Sequence, residues 1–109
     1  MNIDALITTL YSCRKACLFC ADACLDEEDI ADMSTCIRLD HHCAILCATT
    51  ADLLVQSYGS MDELLKLCIE ACKACADVCS QHKHDHCQKC AASCQECVTA
   101  CENYLSRSA

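Results

Sequence analysis

Proline and tryptophan are missing from these 109 residues, and glycine occurs once, at Gly59. With the two main helix breakers nearly absent, helix is the strong expectation. Aromatic residues make up only 4%, so the bulky side chains that usually fill a core are scarce. No run of about 18 apolar residues occurs, which excludes a membrane-spanning helix. Cations are few: eight Lys and Arg face sixteen Asp and Glu, for a net charge of −8. Such a chain shows no basic stripe for nucleic acid, and an anionic membrane surface would repel it. The opening stretch MNIDALITTLYSCRK has no basic leader, small-residue cleavage site or twin-arginine pair, and a cytoplasmic chain is expected on that ground.

What the sequence does have is cysteine, sixteen of them within a hydrophobic fraction of 54%. They fall into four runs: Cys13, Cys17, Cys20, Cys24; Cys36, Cys43, Cys47; Cys68, Cys72, Cys75, Cys79; and Cys87, Cys90, Cys94, Cys97, Cys101. Every interval within a run is 3, 4 or 7 residues. These are the a and d steps of a helix seam, the positions that face partner helices. The step of seven in the second run has Asp40 at its missing rung. A reducing cytosol points such thiols toward metal or catalytic roles. Seam neighbours on one helix also have Cβ atoms about 5–6 Å apart, whereas a disulfide needs about 3.5–4.5 Å. Cross-helix disulfides stay open as a possibility.

The seams predict an all-α, antiparallel four-helix bundle with a cysteine-lined core, one domain over residues 1–109. Each run continues into ordinary seam residues: Ile3, Leu6 and Leu10 before Cys13; Thr50 and Leu54 after Cys47; Met61 and Leu65 before Cys68; Tyr104 after Cys101. In an up-down-up-down bundle these four segments meet at one end, which should be closed and conventional. Asn2 can cap the first helix, expected to run to about Leu25. The acidic turn Asp26–Asp29 leads to a second helix over about Ile30–Tyr58. Gly59 suits the position after a helix C-terminus, and Ser60-Met-Asp-Glu63 reads as a capping box. His82-Lys-His-Asp85 is the last turn, with Asp85 capping the fourth helix and Gln88 three residues on. A helix of about 23 residues spans about 35 Å, so a slim rod is expected.

A thiol is an acceptable small hydrophobe, but a tube of them leaves space that leucine would fill, and voids in cores are costly. A soft metal occupies that space. Thiolates select Cu(I), Zn(II) or iron–sulfur clusters. Zinc with four thiolates leaves two uncompensated negative charges at every site, and no seam position carries Lys or Arg to balance them. One Cu(I) per thiolate, with sulfurs shared between ions, keeps the core neutral. Zinc sites and iron–sulfur clusters also tend to use loop cysteines, whereas these C-x2-C pairs lie within helices and interleave with C-x3-C. Multiple Cu(I) ions are the favoured cargo, with zinc or another soft metal as the alternative.

The chain resembles the cytosolic copper storage proteins of bacteria, cysteine-rich four-helix bundles. The resemblance covers essentially all of it and is most specific at Cys36-Ile-Arg-Leu-Asp40-His-His-Cys43-Ala-Ile-Leu-Cys47 and His82-Lys-His-Asp-His86-Cys87-Gln-Lys-Cys90. It implies Cu(I) held by the lining cysteines, homotetrameric assembly and no catalytic turnover.

If aliphatics plug one end, metal enters at the other. That end should gather Cys24, Met33, Cys36, Cys79, His82, His84, His86 and Cys87. Imidazole and thioether are both copper ligands, so His82, His84, His86 and Met33 are candidate ligands of a copper-receiving mouth. Asp40 either ligates copper near it or hydrogen-bonds a neighbouring thiol. His41, His42 and Arg38 fall on outward positions and read as surface residues. Tyr11, Leu18 and Leu25, with Phe19 beside them, form an outward apolar strip. With Ile45 and Leu67 it suggests a subunit contact. Two other functions compete with storage. A copper chaperone needs only one exposed site, and an enzyme needs one distinct low-pKa thiol; the ladder singles out none.

Overall fold

The computed structural model describes residues 3–107. Four α-helices follow one another: α1 (Ile3–Cys24), α2 (Ser34–Val55), α3 (Asp62–Cys79) and α4 (Asp85–Arg107). They pack as a ring, α1 on α2, α2 on α3, α3 on α4 and α4 back on α1. Short connections between sequential neighbours give the antiparallel up-down order. The bundle measures 45 × 21 × 19 Å.

The seam is as the 3- and 4-residue steps dictate. All sixteen cysteines are buried and all are free thiols. Leu6, Leu10, Leu54, Met61 and Leu65 are buried beyond them and close one end. Ile3, the first residue of α1, departs from the expected seam and stands 38% exposed. Tyr104 is only half-buried at the same end. Thr50, fully buried on the α2 seam, satisfies its hydroxyl by donating to the Leu46 carbonyl one turn back, at 2.6 Å.

Several helix ends differ from expectation. The expected cap Asn2 lies outside the described residues. The second helix does not run unbroken over 30–58: Ile30–Met33 form a 3-10 turn, and α2 spans 34–55. The tighter turn swings Met33 fully inside the core. At the far end of α2, Ser57 rather than Gly59 takes the left-handed conformation, with φ of 56°. The Ser57 N–H donates to the Leu54 carbonyl and the Tyr58 N–H to that of Leu53, the paired bonds of a Schellman end. Gly59 has no positive φ. The capping box at Ser60 does not form either, since Met61 is the N-cap of α3 and makes no side-chain capping bond. Nor does Asp85 cap α4. It lies inside the helix, and the His84 carbonyl accepts the first bonds, from the Cys87 and Gln88 N–H groups. The Gln88 side chain reaches back to the carbonyls of Ser80 and His82, satisfying acceptors that the end of α3 leaves unpaired.

The outward apolar residues divide between two grooves. Leu18 (40% exposed) and Ile45 (63%) line the groove between α1 and α2 with Arg14 and His41. Tyr11 is tied to α2 through its hydroxyl, which donates to Asp52. Phe19 (67% exposed) belongs to the opposite flank of α1, beside α4. It is therefore not a neighbour of Leu18 on one face, as the strip suggested, because adjacent helix residues point about 100° apart. His42 and Arg38 are exposed, as expected.

Ser57→Gly should raise the thermal midpoint of the metal-free protein, by about 0.5–1 kcal/mol in stability, since glycine takes a left-handed φ at no steric cost. Gly59→Ala should leave it unchanged or slightly raised, because an added Cβ meets nothing within 4 Å. Loss of stability in Ser57→Gly, followed by thermal unfolding under reducing conditions, would refute this end structure.

Candidate metal centre

The helix ring sets sulfur against sulfur across the axis. Cys43 on α2 lies 3.1 Å from Cys72 on α3 and 3.9 Å from Cys94 on α4. Cys47 reaches Cys68, Cys72 and Cys97 at 3.8, 3.7 and 3.8 Å. Cys17 lies 3.7 Å from Cys94 and 3.8 Å from Cys90, and Cys36 lies 3.1 Å from Cys79. An ion about 2.3 Å from each sulfur can bridge sulfurs up to about 4.6 Å apart, so these spacings suit shared metal. Sets of donors lie within 4.8 Å of one another: Cys13, Cys47, Cys72 and Cys97 from all four helices; Cys13, Cys17, Cys43 and Cys94; Cys17, Cys75, Cys90 and Cys94. The sets share members, so this is a continuous column of donors rather than isolated tetrahedral cages.

Among the described residues, the buried polar or charged side chains are Asp40 and Thr50. No buried cation is there to balance a thiolate. Burial alone therefore favours protonated thiols in the metal-free protein. At the mouth, Cys24 is pushed up by burial first and then by the neighbouring Cys36. The Cys87 thiol is pushed up to about 12 by the same causes in the same order.

Asp40 occupies the missing rung of the α2 ladder, fully buried. Its Oδ1 accepts from the thiols of Cys75, Cys90 and Cys79 at 3.1, 3.2 and 3.4 Å. The Cys36 sulfur lies 3.9 Å from Oδ2. Asp40 also joins Cys20, Cys79 and Cys90 in one of the donor sets. Burial, the largest cause, and then the neighbouring Cys90 and Cys75 push its carboxyl up to about 10. It stays protonated at neutral pH and fits a core that tolerates no uncompensated charge.

The other end brings the expected mouth residues together unevenly. His86 Nδ1 lies 3.4 Å from the Cys20 sulfur and 3.5 Å from that of Cys87. Cys20, Cys24, His86 and Cys87 form a donor set of their own. His86 Nε2 lies 3.4 Å from Glu27 Oε2. With Nε2–H donating to that carboxylate, the Nδ1 lone pair faces the sulfurs, the arrangement that orients a metal-binding imidazole. His84 stacks on His86, with centroids 5.4 Å apart and rings 3° from parallel. Both its nitrogens face carboxylates instead of thiols, Nδ1 toward Glu27 and Nε2 toward Asp29 at 3.1 Å. His82 is half-buried and contributes its backbone carbonyl to Gln88; among the described residues its ring makes no hydrogen bond. Met33 is buried in the core cluster. Reading along the sequence missed Glu27 and Asp29, which it assigned to a turn. The available signal was topological: that acidic turn and the histidine turn share one end, with opposite chemistry.

Fold and site define a helical bundle built around a soft-metal column. The family model for copper storage proteins (Csp) matches residues 1–106, and the chain belongs to that family. It is 41% identical over 88 residues to the cysteine-rich protein YhjQ of Bacillus subtilis strain 168, covering 81% of this chain and 82% of that one. Among solved structures, it is similar to the copper storage protein Ccsp of Streptomyces lividans loaded with 10 copper equivalents. The TM-score is 0.92 at 38% identity, covering 95% of this chain and 83% of the other. The same Streptomyces protein, described as cytosolic, has also been solved with five coppers. The Cu(I)-bound copper storage protein BsCsp3 aligns with a TM-score of 0.87 at 39% identity, covering 92% of this chain and 94% of the other.

The pH dependence of the metal-free protein tests the buried carboxyl. Unfolded, Asp40 ionises near 3.8, and folded only near 10. The folded state therefore binds more protons, and stability falls as pH rises through that window. Asp40→Asn removes the titrating carboxyl, so its thermal midpoint should gain on the parent's steadily from pH 4 to pH 8. Parallel curves for the two proteins would rule out a protonated Asp40.

Proposed function

We propose that this chain stores Cu(I) in bulk within a single domain over residues 1–109. The sixteen cysteines act as shared ligands, Asp40 lies beside the column, and His86 receives ions at the mouth. The observation that carries this reading is the continuous column of buried free thiols with no buried cation among the described residues. Each Cu(I) replaces one thiol proton by one positive charge and leaves the interior neutral. Zinc at the same density would not. A chaperone has no use for sixteen inaccessible ligands, and a thiol enzyme needs one sulfur set apart from the rest, so the chain is read as non-catalytic.

The mouth works by exchange. Glu27 holds His86 with Nδ1 toward Cys20 and Cys87, and the acidic groups around His84 favour an approaching cation. An ion taken by His86 has thiols at 3.4 and 3.5 Å to move to. Met33 and His84 are proposed as further mouth residues, His82 as a peripheral one. We place the protein in the cytoplasm; no helix among the described residues is long and apolar enough to cross a membrane. The exposed α1–α2 face, with Leu18 and Ile45 at its centre, supports a homotetramer assembled through it.

Anaerobic titration of the reduced protein with Cu(I) should reach many equivalents, about one per thiol, and release about one proton per ion. Saturation at one or two equivalents would mean a chaperone. A triple variant, His82→Ala, His84→Ala and His86→Ala, should reach nearly the same endpoint more slowly; an equal rate would remove the mouth. Separately, Leu18→Glu with Ile45→Glu should lower the mass in solution toward the 11.9 kDa monomer. An unchanged mass by light scattering would exclude this face as the contact.

A further inference from the structure

A second groove runs between α1 and α4, with a cavity of about 280 Å³. That is close to the lower bound for small-molecule sites. Lys15 and Phe19 come from α1; His86, Lys89, Cys90 and Ser93 come from α4. Two of these, His86 and Cys90, are also members of the interior donor sets. The grooves lined by Arg14, Leu18 and His41, and by Thr9 and Glu96, share no residue with the donor sets named above. His86 joins inside to outside: its side chain is 13% exposed, while its Nδ1 faces Cys20 and Cys87. Here the surface of the bundle comes within one side chain of the sulfur column.

The charge of this groove departs from that of the molecule. The chain carries −8 overall, and the nearby turn sets Glu27 and Asp29 against the histidines. Yet two of the eight cations, one from each helix, border this groove. Lys89 pairs with Asp85 at 3.0 Å, but both side chains are more than three-quarters exposed, so that pair is weak and readily exchanged. In a solution of small thiols, Cu(I) travels as a thiolate complex, because thiolate is its preferred ligand. Such complexes are anions, and the acidic turn repels them. Two lysines bordering the same groove as Phe19 attract them.

We propose that the α1–α4 groove docks a low-molecular-weight anionic thiol carrying Cu(I). Carboxylates of the carrier lie on Lys15 and Lys89, its backbone lies against Phe19, and its copper faces His86. Transfer is ligand exchange without redox change. Copper leaves two carrier thiolates for the Cys20 sulfur and His86 Nδ1, the one protein thiol gives up its proton to a departing carrier, and the carrier leaves as one neutral thiol and one thiolate. This rests on the reading of the chain as a copper store. It adds the form in which copper arrives.

The test compares two donors on the full-length reduced protein by stopped flow: Cu(I)–glutathione, an anionic thiol complex, and Cu(I)–acetonitrile, a cation. In the parent, the initial rate from the glutathione complex should saturate with its concentration. Lys15→Glu with Lys89→Glu should slow that rate about tenfold, leave the acetonitrile rate unchanged or faster, and preserve the final copper content. Lys15→Gln with Lys89→Gln should give a smaller loss in the same direction. Equal slowing from both donors, or no change from either, overturns the docking site. S-methylglutathione, whose sulfur has lost its thiol, provides a reading without metal. It should shift the amide signals of Phe19 and Ser93 in the metal-free protein, and their invariance would equally overturn the proposal. A parent protein that shifts with S-methylglutathione but takes up only one or two coppers would refute storage and leave the docking site standing.

Discussion

A thiol that loses its proton inside this bundle becomes an anion with no buried lysine or arginine to answer it. That constraint governs the rest. It favours protonated thiols in the metal-free column, makes a monovalent soft cation the natural replacement for each proton, and explains why the single carboxyl in the column, Asp40, is held neutral. It also explains where the charges are. Carboxylates that would be ruinous in the core gather just outside it, on Glu27 and Asp29, where they hold the histidines and remain wet.

The helices supply the second half of the logic. A seam of leucine would pack to density and leave no room, whereas a seam of cysteine keeps the helical register while surrendering volume. At one end the bundle packs larger apolar side chains in the ordinary way, at Leu6, Leu10, Leu54, Met61 and Leu65. Those residues give the rod one anchored end that does not depend on cargo.

Much of this was legible in the sequence. Cysteines at steps of three and four residues marked the seam, and the cysteine-free extensions of four runs marked the direction of the helices. The burial of Asp40 followed from its rung. Less legible were features that depend on how chain ends meet. Gly59 looked like the helix terminator because glycine usually is, but Ser57, two residues past the end of α2 at Val55, takes the left-handed position. Gln88 looked like half of a capping box, yet the orphan carbonyls of Ser80 and His82 claim it. Leu18 and Phe19 are adjacent in sequence and part company on the helix. Glu27 was hidden because a carboxylate in an acidic turn acquires meaning only when folding sets it against an imidazole. Local pattern specified the column, while the mouth is a property of the assembled loops.

The closed end has a consequence for traffic. A tube stoppered by aliphatic side chains empties through the end it fills by, so its contents form a queue in reverse: last in, first out. With entry at the mouth as proposed, sulfurs near the stopper, Cys68 and Cys101 among them, would exchange their ions most slowly. Cys20 and Cys87, beside His86, would exchange theirs first. One column would then hold a fast and a slow pool, distinguished by nothing more than distance from the door.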